Sequence, residues 1–289
     1  MDTIKHYLTN QINSLEALLK PTSRYRLAIT ALYVVVLSAC ATPTEQFNEV
    51  ALASGFTGFS IHTGSFEHQL FINDPAHLQQ HDSVIHVYLD GDGTPWEQNR
   101  WIADDPTSRN PMILELMQQD KHPAVFLGRP CYHGFNKSSV CQNKYWTSHR
   151  YGREIVDSMV LALRQWLKNK AYSHIVLIGY SGGGTLAMLM ASDLPDVQTV
   201  VTLAANLDID AWSAHHNYQP LTGSLNPAKL TFNGHLKQIH LAGLEDTVVP
   251  ADQIKGFADK QTHSTYIAYL RFNHHCCWVK QWPAILSLF

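Results

Sequence analysis

From about residue 57 onward, short apolar runs alternate with longer amphipathic stretches. Runs rich in Val, Ile, Leu and Tyr are typical of strands, and apolar side chains at every third or fourth position are typical of helices. The predicted strands are 59–63, 69–72, 84–89, 124–127, 175–178, 199–203, 238–241 and 266–270. The predicted helices are 151–169, 183–194, 251–260 and 279–288.

The order of these elements predicts an α/β fold in a single domain over residues 57–289. The later strands are apolar at nearly every position, which is expected when helices cover both faces of a parallel sheet. Two hairpin-like strands followed by alternating strands and helices predict a mostly parallel, eight-stranded sheet flanked by helices. About thirty residues separate Asn206 from Leu236, too few for a separate cap domain.

Composition narrows the class of protein. The chain has 289 residues, of which 16% are charged and 10% aromatic, so disorder is excluded. No apolar run approaches the ~20 residues of a membrane-spanning helix, which excludes a polytopic membrane protein. The formal net charge is −3, with 21 Lys and Arg against 24 Asp and Glu. Nucleic-acid binding is not expected, because that needs a basic surface.

The first 39 residues predict a secretory signal. Arg24 and Arg26 precede the apolar stretch 27–37, which is too short to span a bilayer stably and ends in Leu-Ser-Ala-Cys. That ending resembles the bacterial lipoprotein signal, which implies that Cys40 is lipidated and becomes the mature N-terminus. An uncleaved anchor, or a buried strand with an incidental cysteine, is the alternative.

The lipoprotein resemblance implies attachment to the bacterial cell envelope, facing the periplasm. Ala41 follows Cys40 where Asp would favour retention in the inner membrane, so the outer membrane is favoured. Residues 40–56 contain Thr-Pro-Thr and show little periodicity. We predict that they form a tether.

Four cysteines remain beyond Cys40. An exported protein reaches an oxidising compartment, so disulfides are expected, but four cysteines allow three pairings. Cys131 and Cys141 lie ten residues apart in one polar loop, where a local bridge closes easily. Cys276 and Cys277 would then form a vicinal bridge or stay reduced.

The strongest motif is Gly-Tyr-Ser-Gly-Gly at residues 179–183. It follows the predicted strand 175–178 and opens a helical segment, which is the context of a nucleophile elbow that exposes Ser181 above the sheet. A glycine-rich turn with a surface serine is the bland alternative. A phosphate loop is disfavoured because no Gly-Lys-Ser/Thr follows.

A serine nucleophile needs a base that is oriented by an acid. In the elbow architecture the acid and then the histidine follow the serine, each on a loop at the carboxyl end of a strand. Loop 243–250 carries Glu245 and Asp246, and loop 272–278 carries His274 and His275. The order is therefore that of a Ser-acid-His triad.

With these motifs, the chain resembles the α/β-hydrolase superfamily from about residue 57 to its end. The Gly-x-x-Asp-x-x-Val-Pro stretch at 243–250 is similar to the superfamily's acid loop and implies that Asp246 is the acid. The ending Asn-His-His-Cys-Cys-Trp at 273–278 is similar to Asp-His-x-Cys-Cys-Trp in exported bacterial hydrolases. It implies that His274 is the base and that Asn273 replaces an Asp. Stretches 129–131, 145–147 and 205–208 also resemble segments of that group, but the resemblance implies no role for them.

Two backbone N–H groups must stabilise the developing oxyanion. Gly182, directly after the nucleophile, is predicted to supply one. The loop Asp-Gly-Asp-Gly at 90–93 lies where the superfamily has His-Gly-x-Gly, which implies Asp92 as the second donor. The alternatives for this loop are a simple Asp-Gly turn and a cation-binding loop.

The 17 histidines do not indicate a metal site. The adjacent pairs His215-His216 and His274-His275 point apart in an extended chain, and no His-Glu-x-x-His motif occurs. No metal and no cofactor are expected.

The sequence therefore predicts a lipid-anchored serine hydrolase that cleaves an acyl ester. Amidase, peptidase, thioesterase and acyltransferase activities use the same residues and remain alternatives, as does a binding module without turnover. Trp212, His215, Tyr218 and Leu221 are predicted to form a short apolar wall over the site, which favours small or medium acyl substrates.

Overall fold

The computed structural model describes residues 41–73 and 83–289, so the predicted signal segment and Cys40 lie outside the described residues. The helices and strands belong to one unit, Pro43–Phe289. The strands are β1 (Thr57–Thr63), β2 (Phe66–Ile72), β3 (Val84–Leu89), β4 (Trp96–Glu97), β5 (Trp101–Ile102), β6 (Ala124–Leu127), β7 (His174–Tyr180), β8 (Val197–Leu203), β9 (Lys237–Gly243) and β10 (Ser264–Tyr269). The helices are α1 (Pro43–Ala53), α2 (Met112–Gln118), α3 (Arg153–Leu167), α4 (Gly182–Asp193), α5 (Ile209–His215), α6 (Ala251–Ala258) and α7 (Trp278–Leu286).

Eight strands form one sheet in the order β1-β2-β6-β3-β7-β8-β9-β10. β1 pairs antiparallel with β2, and β2 antiparallel with β6, whereas every later neighbour is parallel. The predicted mostly parallel, eight-stranded sheet is therefore confirmed. β4 and β5 form a separate two-stranded hairpin that the apolar pattern did not predict.

Helices cover both faces of the sheet. Along β7, Ile175 and Leu177 pack into one core with α3, α4 and α6, and Val176 and Ile178 pack into a second core with α1, α2 and α7. Alternate residues of a strand point to opposite faces, so both faces need apolar side chains. This double burial explains the continuous apolar runs in the sequence.

The predicted tether over 40–56 needs correction. Pro43–Ala53 forms α1, and the Phe47 ring packs 5.2 Å from Phe126 and 6.2 Å from Phe71, measured between ring centroids. Only Phe47 and Ala51 of this helix are buried. Two apolar positions, four residues apart, are too few to make a visible helical period.

Two disulfides join Cys131 to Cys141 and Cys276 to Cys277. The first closes the polar loop that follows β6, as the ten-residue spacing predicted.

Within residues 41–73 and 83–289, none of the helices has both the length and the apolar composition that a membrane span requires.

Candidate active site

Ser181 lies at the turn between β7 and α4. Its backbone has φ 50° and ψ −124°, a conformation that is costly for a residue with a Cβ and that is typical of strained functional turns. The Ser181 N–H donates to Leu203 O of the neighbouring strand at 2.8 Å, which holds the turn against the sheet. A Cβ on Gly183 would overlap the Leu89 and Asp90 carbonyl oxygens, so this tight turn requires glycine there.

The structure brings Ser181, His274 and Asp246 into one hydrogen-bonded chain. His274 Nε2 lies 3.0 Å from Ser181 Oγ, and His274 Nδ1 lies 2.8 Å from Asp246 Oδ2. The other Asp246 oxygen accepts from the Val248 and Val249 N–H groups at 2.8 and 2.9 Å. The side chain of Asp246 is buried and that of Ser181 is half-buried. A carboxylate held by main-chain donors thus faces the imidazole on the side away from the serine.

The main chain of His274 is held by aromatic donors. Trp278 Nε1 donates to His274 O at 3.1 Å, and Tyr180 Oη donates to the same oxygen at 3.2 Å. Asn273 Oδ1 accepts from the His275 and Cys276 N–H groups at 3.0 and 2.7 Å. This role needs only an acceptor oxygen, which Asn and Asp both carry. The Asn273 departure from the family pattern therefore preserves the turn.

His275 is placed differently from its neighbour. Its ring is nearly perpendicular to that of His274, at an interplanar angle of 83°, and its Nδ1 lies 2.9 Å from Tyr180 Oη. His275 is exposed, whereas His274 is buried. The structure therefore gives the contact with Ser181 to His274.

The loop that carries Asp92 lies against the turn that carries Ser181 and Gly182. Gly182 is the first residue of α4, where an N–H has no acceptor within the helix. The Asp90–Gly93 loop leaves β3, the strand adjacent to β7, and packs against the elbow. A Cβ on Gly182 would overlap Asp92 Oδ1 and come within 2.5 Å of Tyr151 Oη, so glycine is needed for this close approach.

The Asp92 carboxylate is held in a buried charged cluster. Arg129 Nη1 and Arg150 Nη1 each lie 2.9 Å from one of its oxygens. Tyr151 Oη donates to Asp92 Oδ2 at 2.6 Å, and Tyr132 Oη donates to Asp92 O at 3.0 Å. Two guanidinium groups face this one carboxylate, so its negative charge is neutralised. The guanidinium groups offset the negative charge of a carboxylate that lies close to Gly182.

The pKa values of Asp90 and Asp92, the two aspartates of this loop, are shifted in opposite directions. Burial alone would raise the pKa of Asp92, but Arg150, Arg129 and the Tyr151 hydroxyl outweigh it and lower that pKa to about 2. Burial dominates at Asp90 and raises its pKa to about 7, although Gly91 N–H and Arg129 oppose the shift. Asp92 is therefore ionised at neutral pH, and Asp90 gains its proton below about pH 7.

Sequence reasoning missed Tyr180, Arg150 and Tyr151 as site residues. Arg129 belongs to the stretch 129–131, for which the resemblance implied no role. In the structure it forms an ion pair with Asp92. Trp146, in another such stretch, donates from Nε1 to Ala103 O, in the segment that follows β5. A basic residue in an otherwise apolar stretch, such as Arg129 after β6, is the signal that sequence offered for this charged cluster.

The insertion between β8 and β9 contains α5 and contacts the acid loop. Trp212 Nε1 and His216 Nε2 both lie within hydrogen-bond distance of Val248 O, at 2.7 and 2.8 Å. The Tyr218 ring stacks on His216. His215 packs against the edge of the His216 ring, and Leu221 packs against the apolar core. Trp212 and His216 therefore connect this insertion to the loop that carries Asp246.

No group of three or more His, Cys, Asp or Glu side chains in the described ranges is arranged to hold a metal ion. The Asp90–Gly93 loop instead holds its second carboxylate against arginines.

No protein-family model matches the chain, and no curated protein sequence matches it. Solved structures do resemble it in fold. The Pyrococcus furiosus esterase Pf2001 is 13% identical with a TM-score of 0.58, over 86% of this chain and 93% of that one. Est1E from Butyrivibrio proteoclasticus is 10% identical with a TM-score of 0.54, over 80% and 96%. XC6422 from Xanthomonas campestris, an α/β serine hydrolase without a lid, is 11% identical with a TM-score of 0.52, over 80% and 92%. The chain has the α/β-hydrolase fold.

Proposed function

We propose that this protein is a serine hydrolase that cleaves acyl esters, with Ser181 as nucleophile, His274 as base and Asp246 as the acid that orients it. The hydrogen-bonded chain from Ser181 Oγ through His274 to Asp246, at 3.0 and 2.8 Å, carries the proposal. Its position on the strained turn after β7 adds support, because the hydroxyl is presented at the carboxyl edge of a parallel sheet. The esterases among the structures of similar fold agree with this reaction class.

In acylation, Ser181 Oγ attacks the ester carbonyl carbon while its proton passes to His274 Nε2. The carbonyl electron pair becomes an oxyanion, which the Gly182 and Asp92 N–H groups stabilise. When the tetrahedral intermediate collapses, the bond to the alcohol oxygen breaks and His274 gives this oxygen its proton. The products of this half-reaction are the free alcohol and an acyl-Ser181 enzyme.

In deacylation, His274 takes a proton from water, whose oxygen attacks the acyl carbon. A second oxyanion forms and collapses, the bond to Ser181 Oγ breaks, and His274 returns the proton to the serine. The carboxylic acid leaves. Asp246 keeps the proton of neutral His274 on Nδ1 and stabilises the imidazolium through both half-reactions.

The wall formed by α5 and the residues after it supports a preference for small or medium acyl chains. Trp212 Nε1 donates to Val248 O, two residues from Asp246, and this contact supports a position of the insertion beside the site. Purified protein assayed on p-nitrophenyl esters of graded chain length should turn over short and medium chains faster than long ones. Ser181→Ala should remove the activity on all of them. Equal turnover by the Ser181→Ala variant would contradict the proposed nucleophile.

Three related activities, on amides, on thioesters and in acyl transfer, are distinguished by extending the same assay. Amide and thioester substrates compared with esters of the same acyl group test the bond specificity. An added alcohol tests acyl transfer, because a transferase releases a new ester in place of the carboxylic acid. A protein that binds these substrates without turnover is a binding module, which would contradict the proposal.

We also propose attachment to the cell envelope through a lipid on Cys40. The support is the basic flank, the apolar stretch and the Leu-Ser-Ala-Cys ending in the sequence. Cys40→Ser should abolish metabolic labelling with fatty acid and release the protein into the soluble fraction. Labelling that persists in this variant would contradict the site.

A further inference from the structure

The hairpin β4–β5 presents large apolar side chains to solvent. Trp101 is 61% exposed and Trp96 is 41% exposed, and Ile102 is exposed beside them. Trp96 pairs with Ile102 across the hairpin and Trp101 pairs with Glu97, so exposed apolar side chains lie on both faces of the ribbon. Large aromatic side chains are usually mostly buried, and a ribbon that is apolar on both faces cannot cover both against the domain.

The hairpin is held in a defined conformation. Arg100 N donates to Glu97 O at 3.0 Å across a tight turn in which Gln98 and Asn99 both have positive φ, at 51° and 54°. A two-residue turn with positive φ at both positions matches the natural twist of paired strands. Outside the hairpin, Arg109 bonds to Glu97 at 2.7 Å. The exposed tryptophans therefore belong to an ordered element.

Other exposed apolar side chains lie at the same edge of the sheet. Leu244 and Val248 follow β9, and Leu270 follows β10. The carboxyl ends of parallel strands meet at one edge, and Ser181 follows β7 at that edge. The hairpin itself begins four residues after Asp92, on the segment that follows β3. Exposed apolar residues thus flank the site on both sides along the sheet.

The start of α1 is fastened to the segment that follows the hairpin. Thr44 N donates to Asp105 Oδ2 at 3.0 Å, and Thr44 Oγ1 lies 3.1 Å from Thr107 Oγ1. Asp105 is three residues beyond Ile102, the last residue of β5. Thr44 is four residues from Cys40, a span of at most ~14 Å for an extended chain. A lipid on Cys40 would therefore bring the membrane surface to the base of the hairpin.

We propose that the β4–β5 hairpin docks on a phospholipid surface and turns the mouth of the Ser181 site toward the membrane. Tryptophan suits this position, because its ring is apolar while its N–H needs a polar partner at the headgroup level. Arg100 lies over the Trp101 ring, 5.5 Å from its centroid, where its charge meets lipid phosphates. The proposal concerns membrane contact and goes beyond the chemistry proposed for the site.

The first test measures vesicle binding without the lipid anchor. The full chain carrying Cys40→Ser is compared with the same chain carrying Trp96→Ala and Trp101→Ala as well, on phosphatidylcholine–phosphatidylglycerol vesicles. The two further substitutions should weaken partitioning about tenfold or more, equivalent to ~1.4 kcal/mol. Leu161→Ala, which removes an exposed side chain from α3, is the matched control and should leave partitioning unchanged. Equal partitioning of all three chains would overturn the proposal.

The second test locates the tryptophans in the anchored protein. Brominated lipids quench tryptophan fluorescence on contact, so Trp96→Phe and Trp101→Phe together should remove most of the quenchable emission. Trp166→Phe, which changes a buried ring on α3, should remove none of it. Emission that brominated lipids do not quench would overturn the proposal. A concentration-dependent dimer that the Trp96 and Trp101 substitutions dissolve, with vesicle binding intact, would instead assign the surface to a second copy of the chain.

Discussion

Two loops bring an aspartate to the candidate active site, and they hold the two carboxylates in opposite ways. Asp246, on the loop after β9, accepts from two main-chain N–H groups and faces His274. Asp92, on the loop after β3, is held by the side chains of Arg129, Arg150 and Tyr151. The first carboxylate directs its charge to the base, and the second has its charge neutralised. Under the proposed mechanism, Asp246 takes part in the chemistry, whereas the Asp92 side chain supports the backbone of its loop.

The largest expected effect comes from Asp246→Asn. The amide oxygen keeps the bonds from Val248 and Val249, but the amide N–H₂ faces His274 Nδ1 and favours the wrong tautomer. We expect kcat to fall by about 10⁴, as in triads of this kind. Unfolding in urea should change little, since the main-chain bonds remain. Steady-state kinetics and urea titration of one preparation test both statements. An Asp246→Asn variant with nearly full activity would contradict the role of Asp246.

Asp92→Asn should have the opposite outcome, with a large loss of stability and a smaller loss of kcat. Removing this carboxylate leaves two buried guanidinium groups without their ion-pair partner, which costs about 3–5 kcal/mol of stability. The folded fraction should keep more activity than the Asp246→Asn variant, because the proposed oxyanion donor is the backbone N–H of residue 92. Urea titration gives the first quantity, and kcat measured where the variant is folded gives the second.

Glu97→Gln is the control for the Asp92 substitution. It removes the exposed ion pair with Arg109 and should cost less than ~1 kcal/mol. If Asp92→Asn is as stable as the Glu97 variant, the buried charged cluster does not support the loop.

A smaller effect, on the pH dependence of stability, is expected from Asp90. The pKa of Asp90 is raised by burial to about 7, so the folded state binds its proton more tightly than the unfolded state does. The stability that this proton contributes is present below about pH 4 and is lost as the pH rises through 7. Wild-type protein should therefore lose up to ~1.4 kcal/mol per pH unit relative to Asp90→Asn between pH 5 and 7. Urea titrations of both proteins across that range measure the difference. Parallel pH profiles would contradict the shift.

The parts of the fold that the sequence predicts well are those with a strong local pattern. Apolar runs such as 175–178 and 199–203 mark the central strands, because burial on both faces leaves no room for polar residues. Ser181, Asp246 and His274 each follow a predicted strand in a recognisable motif, which is why the sequence places them together, and the structure joins them by hydrogen bonds. Asn273 was noticed only through the resemblance to a family. The sequence around it does not show whether its amide accepts hydrogen bonds within a turn or lies free on the surface.

The remaining features depend on contacts between residues that are distant in sequence. Arg150 meets Asp92 across 58 positions, and Tyr180 meets His275 across 95. The pattern of apolar and polar residues along the chain does not indicate such pairs. α1 was missed because its buried face has only Phe47 and Ala51, and the hairpin β4–β5 because each strand has two residues.

The central claim, that His274 and not His275 activates Ser181, is tested most directly by the rate of labelling with a fluorophosphonate, followed by mapping of the adduct. We expect one adduct on Ser181, a rate reduced by about 10⁴ in His274→Ala, and a rate within a few-fold of wild type in His275→Ala. The geometry predicts this difference, because His274 Nε2 lies 3.0 Å from Ser181 Oγ while His275 Nδ1 lies 2.9 Å from Tyr180 Oη. Loss of labelling in the His275 variant with normal labelling in the His274 variant, or an adduct on another residue, would contradict it.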